Sequence, residues 1–332
     1  MGVTRPGPAA VLAVDAGNSK TDVALVGPDG SVLCSGQAGG FQPFRTGVAE
    51  AVDVLAEALA DAGLDPRSPD GPCAEHVSAC LANADFPVEE RVLAAEIRGR
   101  NWGRSTAVHN DTFALLRAGL PAGSEPRGVA VVCGAGINCV GMTPDGRTAR
   151  FPAVGRISGD WGGGGGLAEE ALWWAARAED GRGEPTELAR ALPAHFGEDS
   201  VYALVESLHL GRIPAERRHE VAPLLFAVAA AGDPVAVSLV HRQADEVVAM
   251  AVVALTRLEL LGREAPVVLG GSVLAARHPQ LADRIAAGLA ERAPYARVSV
   301  VTAPPVLGAG LLGLDALGTP EAAHGKLRAH FG

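Results

Sequence analysis

The feature that most constrains this chain is an internal repeat of one strand pattern. Residues 11–30, "VLAVDAGNSKTDVALVGPDG", read as an apolar strand, a small polar tip with a glycine, a second apolar strand and a Pro-Asp-Gly turn. From Gly128, "VAVVCGAGINCVGMTPDG" repeats the strand, the glycine-rich tip, the strand and the turn. Alternating apolar segments punctuated by such turns are typical of β-hairpins. A repeat of this kind predicts two similar units in one chain.

Both halves continue with the same order of elements. In the first half, strands are predicted at residues 11–14, 22–26, 31–36, 77–81 and 106–109, with helices over "TGVAEAVDVLAEALADAGL" and "PVEERVLAAEIRG". In the second half, "DPVAVSLVHRQADEVVAMAVVALTRLELLG" predicts a long helix, "APVVLGG" a strand, "SVLAARHPQLADRIAAGLAERA" one helix, "RVSVV" a strand and "LGAGLLGLDALG" a closing helix. Two β-β-β-α-β-α units predict an α/β protein whose two similar domains face each other across a catalytic cleft.

The length also favours two domains, because 332 residues exceed what one core usually supports. We expect the domains to be residues 1–117 and 118–307, the first being completed by a C-terminal helix at about 308–332. The segment at about 184–232 matches nothing in the first half. It is predicted to be a helical, polar insertion in the second domain.

Charge and cysteine content exclude several classes of protein. The net charge is −10 and the basic residues are scattered, so nucleic acid is not an expected partner. Five cysteines without a C-x-x-C pair indicate neither a zinc site nor a disulfide framework. The N-terminus lacks a signal-peptide pattern, and "VVAMAVVALT" is shorter than the roughly 20 residues that cross a bilayer. We therefore expect a soluble, cytoplasmic protein with no membrane partner.

The two hairpin tips, "DAGNSKT" and "CGAGINC", are candidates for phosphate binding. Glycine lets backbone N–H groups approach an anion, and small polar side chains add donors. Lys20 would add positive charge, and Asp15 could hold Mg²⁺ through water. A single tip of this composition is more often a plain turn, but two tips at equivalent places in a repeat favour a pair of loops that clamp a nucleotide. The chain has neither a P-loop nor a Rossmann fingerprint.

Asp111 is the candidate catalytic base. In "VHNDTFALLRAG" it stands where a strand ends and a helix begins. A carboxylate at such an edge could accept the proton of an attacking hydroxyl during phosphoryl transfer. The competing interpretation is that Asp111 is a helix cap.

Two further glycine segments are candidates for ligand contact. In "GRISGDWGGGGGLAEEALWWAA", Asp160 precedes a glycine run that opens a helix with free N-terminal amides, although such runs are also flexible connectors. Trp173 and Trp174 are predicted to belong to the core of that helix. In "VVLGGSVLAA" a strand ends in Gly270-Gly271-Ser272, which could seat an adenine or ribose or be a simple turn.

Together these motifs resemble the sugar-kinase, Hsp70 and actin superfamily, and within it the N-acetylglucosamine kinase branch of the BadF/BadG/BcrA/BcrD ATPase family. The resemblance covers residues 11–317. It implies two duplicated ribonuclease-H-like (actin-like ATPase) domains, each with a mixed five-stranded sheet. "DAGNSKTD" and "CGAGINC" are similar to the two phosphate motifs, "HNDT" to the catalytic segment, "GDWGG" to a sugar-contacting loop and "LGGSV" to the adenosine motif.

The resemblance assigns roles to individual residues. It makes Asp111 the base and Asp15 the carboxylate on the metal side. The residues implied to bind ATP are Gly17, Asn18, Ser19, Lys20, Thr21, Gly134, Ala135, Gly136, Gly270, Gly271 and Ser272. The residues implied to contact the sugar are Gln42, Asn110, Asn138, Gly159 and Asp160.

Four positions depart from the pattern of the family. Ala135 and Ile137 remove two hydroxyls from the second phosphate loop, so backbone amides must do more of the binding. Gln42 stands where the family often has a sugar-binding asparagine, and Trp161 replaces the acidic residue after Asp160. These changes weaken the choice of N-acetylglucosamine as the sugar and leave the kinase prediction in place.

The predicted function is an ATP- and Mg²⁺-dependent amino-sugar kinase that converts N-acetylglucosamine to its 6-phosphate and, by analogy with relatives, forms a homodimer. One alternative is a kinase for another hexose or hexosamine, such as glucosamine. A second is an ATPase activator of a dehydratase or reductase, which needs a cysteine placed to ligate an iron–sulfur cluster at a dimer interface. A third is a sugar sensor without catalytic activity.

Overall fold

The computed structural model describes residues 9–68 and 71–332. The strands of these residues are β1 Ala9–Ala16, β2 Thr21–Val26, β3 Val32–Ala38, β4 Ala74–Leu81, β5 Gly103–Asn110, β6 Gly128–Cys133, β7 Ile137–Met142, β8 Thr148–Arg150, β9 Ala265–Gly270 and β10 Ala296–Val300. The α-helices are α1 Pro43–Thr46, α2 Val48–Asp61, α3 Pro87–Gly99, α4 Asp111–Gly119, α5 Gly163–Glu179, α6 Leu188–Phe196, α7 Val201–His209, α8 Val221–Ala230, α9 Pro234–Arg257, α10 Ser272–Ala275, α11 Pro279–Arg292, α12 Pro305–Ala316 and α13 Glu321–Phe331. Two 3₁₀ helices, Gly155–Ser158 and Ala215–Glu220, complete the list.

The strands form two five-stranded sheets with the same internal order. The first sheet runs β3-β2-β1-β4-β5 and the second, read from its other edge, runs β8-β7-β6-β9-β10. Each sheet is mixed, because hairpin strands pair antiparallel, as in β1 with β2 and β7 with β8, whereas later strands pair parallel, as in β4 with β5 and β9 with β10. The predicted α/β class and the repeat of the strand pattern are confirmed.

The described residues divide into two compact units. One comprises the described part of Met1–Ala130 together with Val140–Pro152 and Val301–Gly332, and the other comprises Val131–Cys139 and Ala153–Val300. The boundary predicted at residues 117 and 118 stays a prediction.

In the first unit, β1 is buried along its whole length. Its side chains alternate between two cores, because successive residues of a strand point to opposite faces. Leu12 and Val14 join the core that includes residues of α2 and α3, while Val11 and Ala13 join the core formed with α4 and α12. Helices on both faces explain why this strand is a continuous apolar run. The polar groups at the end of β1 therefore lie at the margin of a rigid core.

The second unit is mainly helical around its strands. Its longest helix, α9, buries apolar residues along its length, including Val240, Val247 and Leu255. Within residues 9–68 and 71–332, no single helix is both long and apolar enough to cross a membrane, although the pair Ala215–Ala230 and Pro234–Arg257, bent by 112°, meets those criteria when combined.

Two sequence predictions for the second unit need correction. The insertion is helical, as expected, but it is not polar throughout, because α8 buries Val221, Leu225 and Phe226. The single helix predicted from Ser272 onwards is two helices, α10 and α11. Arg277 has a φ of 51° and so leaves the helical conformation. Pro279 then restarts the chain as a new helix, since its ring disfavours a helical preceding residue and it lacks an N–H.

Candidate functional site

A row of polar side chains crosses the first sheet at the level where β1 ends. Asp15 pairs with Asp22 of β2 on one side and with Cys80 of β4 on the other, and Cys80 pairs with His109 of β5. Residues paired across neighbouring strands share a face of the sheet. This row therefore lies on the face that packs against α4 and α12.

Two carboxylates in this row, Asp22 and Asp15, differ in how their negative charge is balanced by neighbouring groups. The Asp22 carboxylate forms an ion pair with the Lys20 Nζ at 2.8 Å. It also accepts a hydrogen bond from the Gln37 Nε2 at 2.7 Å. For Asp15, burial raises the pKa well above its usual range, and the charges of Asp111 and Asp22 raise it further, while Lys20 lowers it. Asp15 is thus a buried acid whose ionised form would be stabilised by additional positive charge.

Asp111 is the first residue of α4, and its surroundings raise its basicity. Burial raises the pKa of Asp111 to about 6, against the lowering effect of hydrogen bonds from Thr112. The residue as a whole nevertheless keeps part of its surface exposed at the start of α4. A carboxylate with a pKa in this range is suited to general base catalysis near neutral pH.

The helix cap in this segment is Asn110 rather than Asp111. The Asn110 Oδ1 accepts a hydrogen bond from the Thr112 N–H at 3.0 Å, and its Nδ2 donates to the Asp85 carboxylate at 2.9 Å. The alternative interpretation of Asp111 as the cap is therefore wrong. Asn110 holds the start of α4 in place, directly before the predicted base.

The first hairpin tip, residues 17–20, is held by side chains from two other segments. Asn83, a non-glycine residue with a φ of 62°, donates its Nδ2 to the Asn18 Oδ1 at 3.0 Å. The Gln42 Nε2 donates to the Asn18 carbonyl at 2.8 Å. Gly40 packs so closely that a Cβ there would lie 2.1 Å from the Asn18 oxygen. The tip is therefore tied to two other segments of the first unit.

The second tip, Gly134 to Gly136, is held by backbone contacts within the second unit. The N–H groups of Gly164 and Gly165 donate to the carbonyls of Gly134 and Ala135 at 2.7 and 2.8 Å. The Gly163 N–H donates to the buried Gln243 side chain at 2.8 Å. The expectation of free amides at the start of α5 is therefore wrong, because the helix start is docked on the tip.

Glycine is required where these segments meet. A Cβ on Gly163, whose φ is +71°, would lie 2.3 Å from the Gly136 backbone. A Cβ on Gly271, whose φ is +84°, would lie 2.4 Å from the Cys133 carbonyl oxygen. Both the glycine run and the "LGGSV" turn are thus packing surfaces for the second tip, which brings Gly134 to Gly136 together with Gly271.

The predicted sugar loop around Asp160 is braced by its neighbours. The Ser158 hydroxyl donates to the Asp160 carboxylate, and Gly159 is left-handed with a φ of 85°. Trp161 is buried, and the Arg242 guanidinium lies 4.2 Å from the centre of its ring. The substitution at position 161 thus places a packing group after Asp160 instead of a carboxylate.

Two other predicted positions differ in how their side chains are satisfied, because the buried Thr21 hydroxyl has no hydrogen-bond partner among the described residues. The Asn138 Oδ1 accepts a hydrogen bond from the following amide of Cys139 at 2.7 Å. Thr21 is fully buried, so its side chain has no solvent-facing surface.

The prediction that Trp173 belongs to the core is wrong, because half of its surface is exposed (50%), with the Arg177 guanidinium 4.6 Å from the ring centre.

Comparison with known proteins identifies the family of the chain. The sequence profile of the BadF/BadG/BcrA/BcrD ATPase family matches residues 12–313. The chain belongs to this family. The expected resemblance is therefore confirmed at the level of the family.

Three members or neighbours of this family are similar to the chain. An N-acetylmuramic acid/N-acetylglucosamine kinase of Clostridium acetobutylicum is 30% identical over 181 residues, which are 54% of this chain and 57% of that protein. An N-acetyl-D-glucosamine kinase of Dictyostelium discoideum is 25% identical over 211 residues, 63% of this chain and 65% of that protein. The matched region thus spans less than two thirds of either protein. A crystal structure of a candidate N-acetylglucosamine kinase from Chromobacterium violaceum matches 93% of this chain and 100% of its own, with 26% identity and a TM-score of 0.66.

Several residues of the site were not predicted from the sequence. Gly40 and Asn83 contact the first tip, and Asp22, which accepts a hydrogen bond from Gln37, forms an ion pair with Lys20 of the tip. The Gly-Gly pair at residues 39–40 was a signal for close packing. Asn83 carried no signal, because its contact with Asn18 joins residues 65 positions apart.

Proposed function

We propose that this member of the family is an ATP-dependent kinase that phosphorylates an amino sugar, with N-acetylglucosamine and its 6-hydroxyl as the first candidate. The observation that carries the proposal is Asp111 at the start of α4, whose pKa burial raises to about 6 and whose charge acts on the buried Asp15. The kinases among its relatives support the same class of reaction.

In this proposal Asp111 receives the proton of the attacking hydroxyl. In phosphoryl transfer the protein mainly positions the reactants and neutralises charge. One correctly oriented base is therefore enough to accept the proton. Asn110 fixes the start of α4 through the Thr112 N–H and thereby the direction of the Asp111 side chain. The base is ionised at neutral pH because its pKa lies below 7.

ATP would be bound by the two tips and the Gly270–Ser272 turn. Lys20 supplies positive charge at the first tip, where Asp22 holds it until a phosphate competes. At the second tip, α5 and Gly271 pack on one side, while a Cβ on Gly134 or Gly136 would have no described non-neighbouring atom within 4 Å, which leaves space beside these two residues. Backbone N–H groups then replace the hydroxyls that Ala135 and Ile137 lack.

Mg²⁺ fits the first unit through Asp15. Burial and two neighbouring carboxylates raise the pKa of Asp15, and a divalent cation would stabilise its ionised form. No cluster of three or more potential metal-ligating side chains occurs in the described residues, and Mg²⁺ bound to a nucleotide needs only one or two carboxylates plus water. When bound, the ion would neutralise charge on the phosphates.

The sugar would be contacted by Gln42, Asn110, Asn138, Gly159 and Asp160. Ser158 holds the Asp160 carboxylate, which then accepts hydrogen bonds from sugar hydroxyls. The amide of Gln42 already bonds the Asn18 carbonyl, so it would link the sugar to the first phosphate tip. One added or missing group in a pocket changes selectivity by about 1–3 kcal/mol, so glucosamine and other hexoses remain competing acceptors.

The environment of Cys133 and Cys139, the two cysteines that flank the second tip, does not favour a cluster-bearing ATPase activator. Burial raises the pKa of the Cys133 and Cys139 thiols, and both side chains are fully enclosed. An interface cluster needs thiolates that can reach a second subunit.

The decisive experiment measures ADP release with Mg-ATP across a panel of amino sugars, their N-acetyl forms and glucose. We expect one acceptor to stimulate ADP release, and we expect this stimulation to be lost when Asp111 is replaced. Brown, iron-containing protein after anaerobic purification, with ATP hydrolysis that no sugar stimulates, would instead establish the activator. Light scattering tests the further proposal of a homodimer, and cell fractionation that of a cytoplasmic location.

A further inference from the structure

Arg150, the last residue of β8, lies near the start of α4 but is neither a predicted catalytic residue nor a predicted ligand contact. Its side chain is only 23% exposed. It belongs to the same compact unit as Asp111. An arginine this enclosed needs several partners, because burying an unpaired guanidinium is costly.

The partners of Arg150 lie in the first part of α3 and in the turn that precedes it. Its NH1 pairs with the Glu90 carboxylate at 2.8 Å, and its NH2 donates to the carbonyls of Ala84 and Asp85 at 3.1 and 3.4 Å. Its Cζ also lies 5.7 Å from the centre of the Phe113 ring, within α4. One planar guanidinium therefore contacts both the turn and the helix that carries Asp111.

The same turn is held from its other side by a carboxylate. The Glu89 Oε2 accepts hydrogen bonds from the N–H groups of Asp85 and Phe86, both at 2.9 Å. Glu89 thus satisfies the donors of the turn, and Arg150 satisfies its acceptors. The Asp85 side chain is fixed as a result.

The Asp85 side chain connects the turn to the segment that carries Asp111. Its carboxylate accepts a hydrogen bond from the Asn110 Nδ2 at 2.9 Å, and the Asn110 Oδ1 accepts one from the Thr112 N–H at 3.0 Å. Asp111 stands between those two residues of the cap. The connection runs from Arg150 through the turn and Asp85 to Asn110, and from Asn110 to the backbone on which Asp111 is mounted.

We propose that Arg150 is a positioning residue for Asp111, acting through the Ala84–Asp85 carbonyls and the Asn110 cap. The catalytic part of this inference rests on the proposed kinase function, whereas the structural part does not. Arginine is required, because a lysine offers one point charge and cannot bond Glu90 and two carbonyls in one plane.

The test combines local hydrogen exchange with steady-state kinetics on the full chain. Arg150→Met keeps much of the side-chain volume and removes the donors. The matched control is Arg104→Met, which breaks an exposed ion pair with Glu75 in the same unit. In Arg150→Met we expect faster amide exchange in peptides that contain residues 84–86 and 110–113, a fall in kcat of about 10- to 100-fold and an unchanged KM for ATP, since small misplacements of a catalytic group act on kcat.

A second pair of variants keeps the inference testable if Arg150→Met folds poorly. Asp85→Asn retains an oxygen that accepts from Asn110 and should keep most of the activity, whereas Asp85→Ala should resemble Arg150→Met. The double variant Arg150→Met/Asp85→Ala should be no slower than the slower single variant, because both act on one connection.

Three results would overturn the inference: unchanged local exchange in folded Arg150→Met, unchanged kcat in that variant, or independent, multiplicative effects in the double variant. If the wild-type protein phosphorylates no sugar but Arg150→Met still loosens residues 110–113, the structural connection stands and the kinase proposal fails.

Discussion

The two hairpin tips occupy equivalent places in a repeated fold, yet they are built from different chemistry. The first tip lies among charged and polar side chains, with Asp15, Lys20 and Asp22 beside it and amides of Gln42 and Asn83 bonded to Asn18. The second tip is held by backbone hydrogen bonds from Gly164 and Gly165. The same strand–tip–strand frame thus carries a charged loop in one unit and an apolar loop in the other.

This difference shows how a duplicated fold can divide its work. Asp15 and Asp111, two carboxyls whose pKa burial raises, both belong to the first unit. In the second unit, shape is the main requirement, because Gly163 and Gly271 leave no space for a side chain beside the tip. Substitutions in the first unit should therefore act on chemistry, and those around the second tip on folding.

The largest effect is expected at Asp111. Asp111→Ala should lower kcat for sugar phosphorylation by about 10²- to 10⁴-fold, the usual contribution of a general base, while ATP affinity stays near that of the wild type. Kinetics of ADP release and calorimetric titration with an ATP analogue measure the two quantities. Asp283→Ala, at an exposed position of α11, is the control. A kcat within threefold of the wild type would remove Asp111 from its role.

The next largest effect is expected where the second tip is packed. Gly163→Ala should lower the free energy of unfolding by about 2–4 kcal/mol, because the new Cβ meets the Gly136 backbone and the φ is unfavourable. The control is Gly166→Ala in the same helix, where the new Cβ would have no described non-neighbouring atom within 4 Å. This substitution should leave the free energy of unfolding unchanged or raise it slightly. Urea unfolding of both variants measures this. Equal stability of the two would mean that shape does not govern the second tip.

A third effect concerns pH. The pKa of Asp111 is higher in the folded protein, about 6, than in an unfolded chain, so its contribution to stability is present at low pH and is lost as pH rises through 4 to 6. Asp111→Asn should therefore be more stable than the wild type by about 1–3 kcal/mol at pH 7.5. Below pH 4 the two proteins should agree.

Thermal unfolding between pH 3.5 and 8 measures this difference. The acid limb of kcat/KM should have a midpoint near the pKa of about 6, because the ionised form acts as the base. A wild-type protein as stable as Asp111→Asn at every pH would show that the carboxyl is not desolvated.

The smallest effect is expected at Lys20. Lys20→Met should raise the KM for ATP about tenfold. It should also lower the stability, because the Asp22 side chain that pairs with Lys20 is only 9% exposed and would lose its charge partner. Lys326→Met, which breaks the exposed pair with Asp29, is the control and should leave the KM unchanged. Equal KM values for the two variants would make the first tip a structural loop without a role in phosphate binding.

The strands and most helices were predictable, since their patterns are local. The helix over Pro87–Gly99 begins and ends where the sequence predicts, with proline in its first turn. The long helix after Ser272 was predicted wrongly, because its apolar spacing continues through the break at Arg277. Trp173 was predicted wrongly because an aromatic residue on a helix does not reveal which face is covered.

By itself, the sequence determined the repeated strand order and placed Asp15 near the end of one strand and Asp111 directly after another, because alternation and turn residues act over a few positions. Only the tertiary structure decided the basicity of Asp111, the docking of α5 on the second tip and the contacts of Arg150. These properties depend on burial and on contacts between residues far apart in the chain, and no local pattern encodes them.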